Sequence, residues 1–292
     1  MTGPVTALEW AAEAWGRPVS VARHLTGGWT STMQVLEDAD GTRAVLRLMT
    51  KEPWRTHAEG LIGREATIQR QLARTPVPAP TSLATDPTGD AAGEPAHLMS
   101  WLPGTLVLDR ADDALMAALA AMLRTIHAHD PGTDRPRTYQ SWAPPAKRVV
   151  PDWARDPALW RAAFAVLDGP APAYDGTFLH RDFHLGNVLW TGPRITGVVD
   201  WVETSWGPAG LDVAHCATYL ALLHGPEAAT RFVAAYGAAD DEAQRYWDVL
   251  DCVGYLPDPT KVATPWREAG RDVSDALARG RLEEHLGRVL AR

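Results

Sequence analysis

Three residues carry the chemistry of this chain: Asp182, Asn187 and Asp200. Thr177-Phe178-Leu179-His180 reads as a buried strand end, and Arg181 to Asn187 as the loop after it. Val188-Leu189-Trp190, a Thr191-Gly192-Pro193-Arg194 turn and Ile195 to Val199 then form a predicted hairpin. Pairing Trp190 with Ile195 sets Asn187 opposite Val198 and brings its amide oxygen within several ångströms of the Asp200 carboxylate. Two hard oxygen donors at that spacing suit Mg²⁺. Asp182 lies in a tight loop just before the pair and faces whatever the metal holds. A base-like carboxylate with two metal ligands and no Ser-His or Cys-His nucleophile suits phosphoryl transfer, in which protein groups position reactants and neutralise charge.

A second arrangement competes for the same loop. His180, Asp182 and His184 alternate, and on a regular strand they would point one way, as zinc ligands do. Gly186 and the loop-like Arg181-Asp182-Phe183 interrupt that strand, and no HxH or HExxH supplies further ligands.

The elements ahead of the loop have their own order. Val19 to Leu25 reads as a strand, followed by the glycine- and hydroxyl-rich turn Thr26 to Thr32 and a strand from Met33 to Glu37. Asp38-Ala39-Asp40-Gly41 is a hairpin signal leading into a strand from Thr42 to Met49. Between Ala58 and Ala73, Leu61, Ile68 and Leu72 mark one helical stripe, on which Glu65 also falls. An inward carboxylate needs a partner to offset its desolvation. Thr75-Pro76-Val77-Pro78-Ala79-Pro80 ends the helix, and Pro87 to Pro95 is a polar turn. The extended stretch His97 to Leu102 then runs into Pro103-Gly104. These set the predicted boundary between an N-terminal domain, 1–102, and a C-terminal one, 103–292. Asp112 to Ala128 reads as a helix with carboxylates near its start, and residues 130–157 take no assignment.

Composition narrows the partners. The 292 residues carry a net charge of −8, which argues against nucleic acid, because neutralising phosphates needs a basic face. Apolar runs such as Ala114 to Leu123 are about half the roughly 20 residues a membrane helix needs. The N-terminus has no secretory pattern, so the expected location is cytoplasmic. Cys216 and Cys252 stand apart without CxxC spacing and are expected to be reduced thiols. Of the 28 basic residues only Lys51, Lys147 and Lys261 are lysines.

His180-Arg181-Asp182, Asn187 and Asp200 resemble the HxDxxxxN loop and metal-binding Asp of the aminoglycoside phosphotransferase family, relatives of the protein kinases. The Gly-rich turn, Ala44-Val45-Leu46-Arg47, Glu65, Met99 to Gly104, Trp206-Gly207-Pro208 and Asp212-Val213-Ala214 follow that family's order. The resemblance implies an α+β, protein-kinase-like fold with a β-rich nucleotide-binding N-lobe and a mostly helical C-lobe for catalysis and acceptor binding. It further implies Asp182 as catalytic base or orienter, and Asn187 and Asp200 as Mg²⁺ ligands on the phosphates of ATP or GTP. His180 would be a structural member of the loop, bonded to backbone around Asp200, with Asp212 bracing it. Gly27, Gly28, Thr30 and Ser31 would cover the phosphates, and Ser100 and Leu102 would bond the adenine edge. The lysine that protein kinases pair with a helix Glu is here Arg47, which can bridge phosphate and Glu65. Lys51, read on the same strand face, stands about 13 Å farther on.

The expected activity is Mg·ATP-dependent phosphorylation of a small-molecule hydroxyl, an aminoglycoside or macrolide antibiotic leading, with a choline- or homoserine-like alcohol as alternative and a nucleotide-binding pseudokinase as the reading from another class. No room between Asp200 and Asp212 remains for a protein-kinase activation loop. A monomer or weak homodimer is expected. Candidates for the acceptor wall are His215, Tyr219, His224, Trp247, Asp248, Asp251, Tyr255, Trp266 and Glu268. The acids of Asp240 to Asp258 could attract a polycation or form a solvated helical face. Trp153, Trp160, Trp247 and Trp266 offer flat rings for sugars or cationic groups, or core packing.

Overall fold

The computed structural model describes residues 6–25 and 31–292. They fall into two compact units, one formed by the chain up to Gly104 with Thr196–Glu203, the other by Thr105–Ile195 with Thr204–Arg292. A single cut after Leu102 misses the return segment, and that segment carries Asp200.

The first unit opens with a helix the sequence reading passes over, α1 (Ala7–Trp15). Its signature is local: the Thr6 hydroxyl accepts from Glu9 N–H and the Glu9 carboxylate accepts from Thr6 N–H, a reciprocal cap. Gly16, at φ 73°, closes the other end in the left-handed region. An antiparallel sheet follows, in the order β1 (Val19–Leu25), β2 (Thr32–Asp38), β3 (Arg43–Leu48), β5 (Ala96–Ser100), β4 (Ser82–Asp86). The β2–β3 turn forms where expected, because Asp38 Oδ1 accepts from the backbone N–H of Asp40 and Thr42, each at 2.9 Å. Central β3 sends Ala44 and Leu46 into a core with Trp10, Leu36 and Leu98. Its other face carries Val45 and Arg47 toward α2 (Ala58–Leu72). The strand ends at Leu48, so Lys51 lies in the turn beyond it and not on the strand face assigned to it.

The second unit is mostly helical. It holds β6 (Thr105–Leu106), α3 (Asp113–His127), α4 (Pro157–Asp168), β7 (Thr177–Leu179), β8 (Val188–Thr191), β9 (Arg194–Val198, which carries the chain across the division), β10 (Ser205–Gly207), α5 (Gly210–His224), α6 (Pro226–Tyr236), α7 (Glu242–Gly254), α8 (Ala263–Glu268) and α9 (Asp275–Leu290). Helix α5 is buried continuously from Leu211 to Leu223, in contact with α6, α7 and α9. Truncating Leu220 or Leu222, both 0% exposed, costs about 2–5 kcal/mol through transfer and cavity terms. Such a helix holds a side chain at a fixed position. Cys216 and Cys252 are free and buried, and burial pushes both thiols up, away from reactivity. No helix among the described residues is long and apolar enough to cross a membrane.

Candidate active site

In the first unit the sheet register assembles a charged cluster. Arg47 on β3 stands directly opposite His97 on β5, so both side chains lie on the α2 side of the sheet. Glu65 Oε2 accepts from Arg47 Nη1 at 2.9 Å and lies 3.1 Å from His97 Nδ1. Arg47 and Glu65 are 4% and 1% exposed. Burial would raise the Glu65 carboxyl, but Arg47 and His97 outweigh it and hold it below its ordinary value. Ser82 Oγ, 3.0 Å from His97 Nε2, fixes the far side of the ring. Arg47 also reaches Asp200 Oδ1 at 3.4 Å. Asp200 has φ 66°, an uncommon conformation for a non-glycine residue and one that concentrates at functional sites. His97 was not anticipated as a member of this group; the strand alternation that points Arg47 inward was its only trace in the sequence.

In the second unit, β7 delivers the loop from His180. Asp212, on the first turn of α5, accepts from the backbone N–H of His180 and of Arg181, each at 2.8 Å, and His127 Nε2 lies 3.2 Å away. These contacts hold Arg181 at φ 71°. Its guanidinium lies over Trp142, 4.2 Å from the ring centroid. His180 is fully buried, and its Nδ1 accepts from Asp182 N–H at 3.2 Å. Asn187 Nδ2 donates to the carbonyl of Asp182 at 2.8 Å and to its Oδ2 at 3.0 Å. Both amide protons are thereby directed at Asp182, and the Asn187 carbonyl oxygen faces the other way. Gly186 permits the close turn: a Cβ there would come within 2.9 Å of the His184 ring and 3.0 Å of the Tyr219 hydroxyl.

Asp182 is the centre of a second set of contacts. Its Oδ1 lies 3.1 Å from His215 Nε2 and 3.3 Å from His184 Nε2. Partial desolvation alone would raise this carboxyl; the His184 and His215 imidazoles outweigh it and hold it well below the usual carboxylate range. His215 Nδ1 lies 3.0 Å from Asp251 Oδ1. Burial opposes the imidazolium, but Asp251 and Asp182 prevail and push its pKa up to about 10.

Asp182, His184 and His215 are the one group among the described residues that could close on a metal with nitrogen ligands. The hydrogen bonds argue otherwise. His184 Nδ1 accepts from Gly186 N–H at 3.0 Å, so its proton sits on Nε2 and is aimed at Asp182. His180 Nδ1 is likewise occupied as an acceptor. In the zinc arrangement of His180, Asp182 and His184, the Nδ1 atoms of both rings are therefore already committed as acceptors. Amide and carboxylate oxygens suit a harder ion: in the second unit the Asn187 amide is oriented by its own N–H bonds to Asp182, and in the first unit the Asp200 carboxylate lies 3.4 Å from the Arg47 guanidinium.

The remaining candidates separate by location. Gly27, Gly28 and Thr30 lie outside the described residues; Ser31, next to them, is buried. Ser100 ends β5, where its N–H donates to Thr81 O and its hydroxyl accepts from Thr81 N–H. Leu102 lies two residues beyond the strand. Of the acceptor-wall candidates, His215 and Asp251 join Asp182, Tyr219 stacks on His184 at 4.0 Å, and Tyr255 lies parallel to His215. Trp266 donates to the Tyr219 hydroxyl. Trp160, Trp247 and Trp266 are buried packing residues, His224 is held near pKa 4 mainly by burial, and Glu268 is exposed.

The acidic stretch divides between paired and exposed carboxylates. Asp248 meets Arg292 at 2.6 Å, Asp251 meets His215, and Asp258 pairs with Arg279. Asp240 lies 3.9 Å from Arg292 and Glu242 lies 3.7 Å from Arg245, while Asp241 caps α7. Asp248 and Asp251 are thus committed inside the fold, whereas Asp240, Asp241 and Glu242 remain exposed.

The chain is similar to several known proteins. Among curated proteins, mouse acyl-CoA dehydrogenase family member 10 is 27% identical over 181 residues, covering 54% of this chain. The alignment spans only 17% of that much longer protein. A thermostable mutant of aminoglycoside phosphotransferase APH(4)-Ia, solved with AMP-PNP and hygromycin B, superposes with a TM-score of 0.69 at 21% identity, over 97% of both chains. The macrolide 2'-phosphotransferase MphH from Brachybacterium faecium gives 0.60 at 19% identity, over 94% of this chain and 97% of its own. At those identities the likeness shows the fold, protein-kinase-like with a β-rich first unit and a helical second. The sequence itself matches a phosphotransferase profile from residue 21 to residue 248, a span that takes in the Arg47–Glu65 pair and the Asp182–Asn187 loop as well as Asp200. With that match over most of its length, the chain belongs to the phosphotransferase enzyme family.

Proposed function

We propose that this enzyme transfers the terminal phosphoryl group of ATP to a hydroxyl of a small molecule, with an antibiotic of the aminoglycoside or macrolide type as the leading acceptor. The observation that carries the reading is the Asp182–Asn187 contact, in which one amide locks the carboxylate and leaves its own oxygen available. Structural relatives solved with AMP-PNP and hygromycin B, or described as macrolide 2'-phosphotransferase, support the nucleotide and the acceptor class. A choline- or homoserine-like alcohol is the alternative acceptor.

Asn187 and Asp200 would hold Mg²⁺, which when bound neutralises charge on the transferring phosphates. Arg47, kept rigid by Glu65, would hold phosphate oxygens, and Gly27, Gly28, Thr30 and Ser31 would cover them. Ser100 and Leu102 would bond the adenine edge. Asp182, ionised at neutral pH, would accept a hydrogen bond from the acceptor hydroxyl. A carboxylate held this far below its ordinary value is a weak base, so it orients the hydroxyl first and takes the proton late, as a loose transition state allows. The first unit would serve as the nucleotide-binding domain and the second as the catalytic and acceptor-binding domain.

The test is ATP turnover across a panel containing an aminoglycoside, a macrolide, choline and homoserine. Wild type should turn over with at least one, Asp182→Ala should abolish turnover, and Asn187→Ala and Asp200→Ala should weaken Mg·ATP binding. Tight Mg·ATP binding without turnover on any acceptor would identify a pseudokinase instead.

A further inference from the structure

His215 is not part of the loop that defines the family resemblance, yet it is fastened to the residue that matters most there. It projects from the middle of α5, 6% exposed, with one ring nitrogen on Asp182 and the other on Asp251 of α7. Trp142 meets it edge-on at 5.1 Å and Tyr255 lies parallel at 6.1 Å, so the ring cannot tilt freely. Asp251, also 6% exposed, meets His215 through Oδ1, and its Oδ2 has no hydrogen-bond partner among the described residues. A buried carboxylate with an unsatisfied oxygen is a poor way to stabilise a core, since an apolar pair of the same volume would do as well or better.

The geometry also divides the two oxygens of Asp182. Oδ1 receives the Nε2 protons of His215 and His184 and is filled. Among the described residues Oδ2 receives the Asn187 amide alone, and it keeps capacity for one more donor. We propose that His215, anchored by Asp251, is a positioning residue for phosphoryl transfer: it occupies Oδ1 and fixes the Asp182 rotamer so that Oδ2 alone meets the acceptor hydroxyl. This inference rests on the assignment of Asp182 given above. The His215–Asp251 pair then does for an oxygen acceptor what a carboxylate does for a catalytic imidazole, holding its orientation through a buried ionic hydrogen bond.

The experiment measures kcat and KM for Mg·ATP hydrolysis to water, and for transfer to whichever panel acceptor is used, in wild type, His215→Ala, His215→Gln, Asp251→Asn and the His215→Ala/Asp251→Asn double variant. Misplacing a reacting group by about an ångström costs on the order of 100-fold, so His215→Ala should lower kcat roughly 10–100-fold while KM for ATP changes less than about twofold. His215→Gln, which keeps an N–H donor at similar reach, should restore much of kcat. Asp251→Asn should cost less than His215→Ala and add nothing to it in the double variant. Thermal unfolding and Mg·ATP affinity monitor folding; should His215→Ala not fold, the Gln and Asn variants decide. Wild-type kcat in His215→Ala, beside an inactive Asp182→Ala, would overturn the positioning role and leave the proposed function standing. Equal losses in His215→Ala and His215→Gln, or a full additional loss from Asp251→Asn in the double variant, would also overturn it. A wild type without turnover would overturn the proposed function itself, and this inference with it.

Discussion

Replacing Arg47 with Ala removes a guanidinium that is 4% exposed and leaves Glu65, 1% exposed, without its cationic partner and beside His97. Breaking a buried ion pair by deleting one partner costs about 3–5 kcal/mol, because the remaining charge is uncompensated. At about 2–4 °C per kcal/mol for domains of 150–250 residues, the melting temperature should fall by on the order of 10 °C. The paired substitution Arg47→Ala/Glu65→Gln should recover a large part of that loss, since a neutral amide requires no counter-charge. Nucleotide use should suffer separately: a lost hydrogen bond to a charged group costs about 1.5–3 kcal/mol, or roughly 10–150-fold in kcat/KM for ATP. Lys51 is exposed in the turn beyond β3, so Lys51→Ala should change stability by less than about 0.5 kcal/mol and ATP use by less than about threefold. Thermal melts and ATP titrations on wild type, Arg47→Ala, Glu65→Gln, the Arg47→Ala/Glu65→Gln double variant and Lys51→Ala suffice. Equal or greater damage from Lys51→Ala would refute the reasoning, and so would strict additivity of Arg47→Ala and Glu65→Gln.

Other outcomes follow from the second unit. Asp212→Asn keeps one acceptor oxygen where two backbone N–H groups and His127 now converge, and should cost about 3 kcal/mol in urea unfolding; a loss below about 0.5 kcal/mol would show that Arg181 holds its left-handed conformation without the brace. His215, raised to about 10, should remain an imidazolium through neutral pH in histidine-resolved NMR. Its stabilising contribution is complete below the ordinary value near 6.5 and disappears as pH rises through about 10, because the folded state holds the proton more tightly than the unfolded one. Asp251→Asn should lower that titration, and a wild-type midpoint near 6.5 would sink the assignment.

The residues read directly from the sequence are those whose partners are close along the chain or follow a simple period. Asp182 and Asn187 are five positions apart in one loop, and their contact needs only that loop. Glu65 betrayed itself by sitting on an apolar helical stripe, and Arg47 by the scarcity of lysine. The capping signature of α1, Thr6 with Glu9, is equally local, since both partners lie within one helical turn. Tertiary structure decided the rest. His97 reaches Glu65 because β3 and β5, some fifty residues apart in the chain, pair in a register that sets it opposite Arg47. The acids around α7 allowed either a polycation-attracting patch or a solvated face, and packing divided them: Asp248 and Asp251 turn inward to Arg292 and His215, while Asp240 and Glu242 stay exposed. Asp200 joins the first unit only because the chain returns there after β9 begins. Short-range spacing determines which chemical groups can cooperate within a loop or a helix. Long-range packing, by excluding water, determines which charges must find each other, and for Asp182 it chose His215 and Asp251.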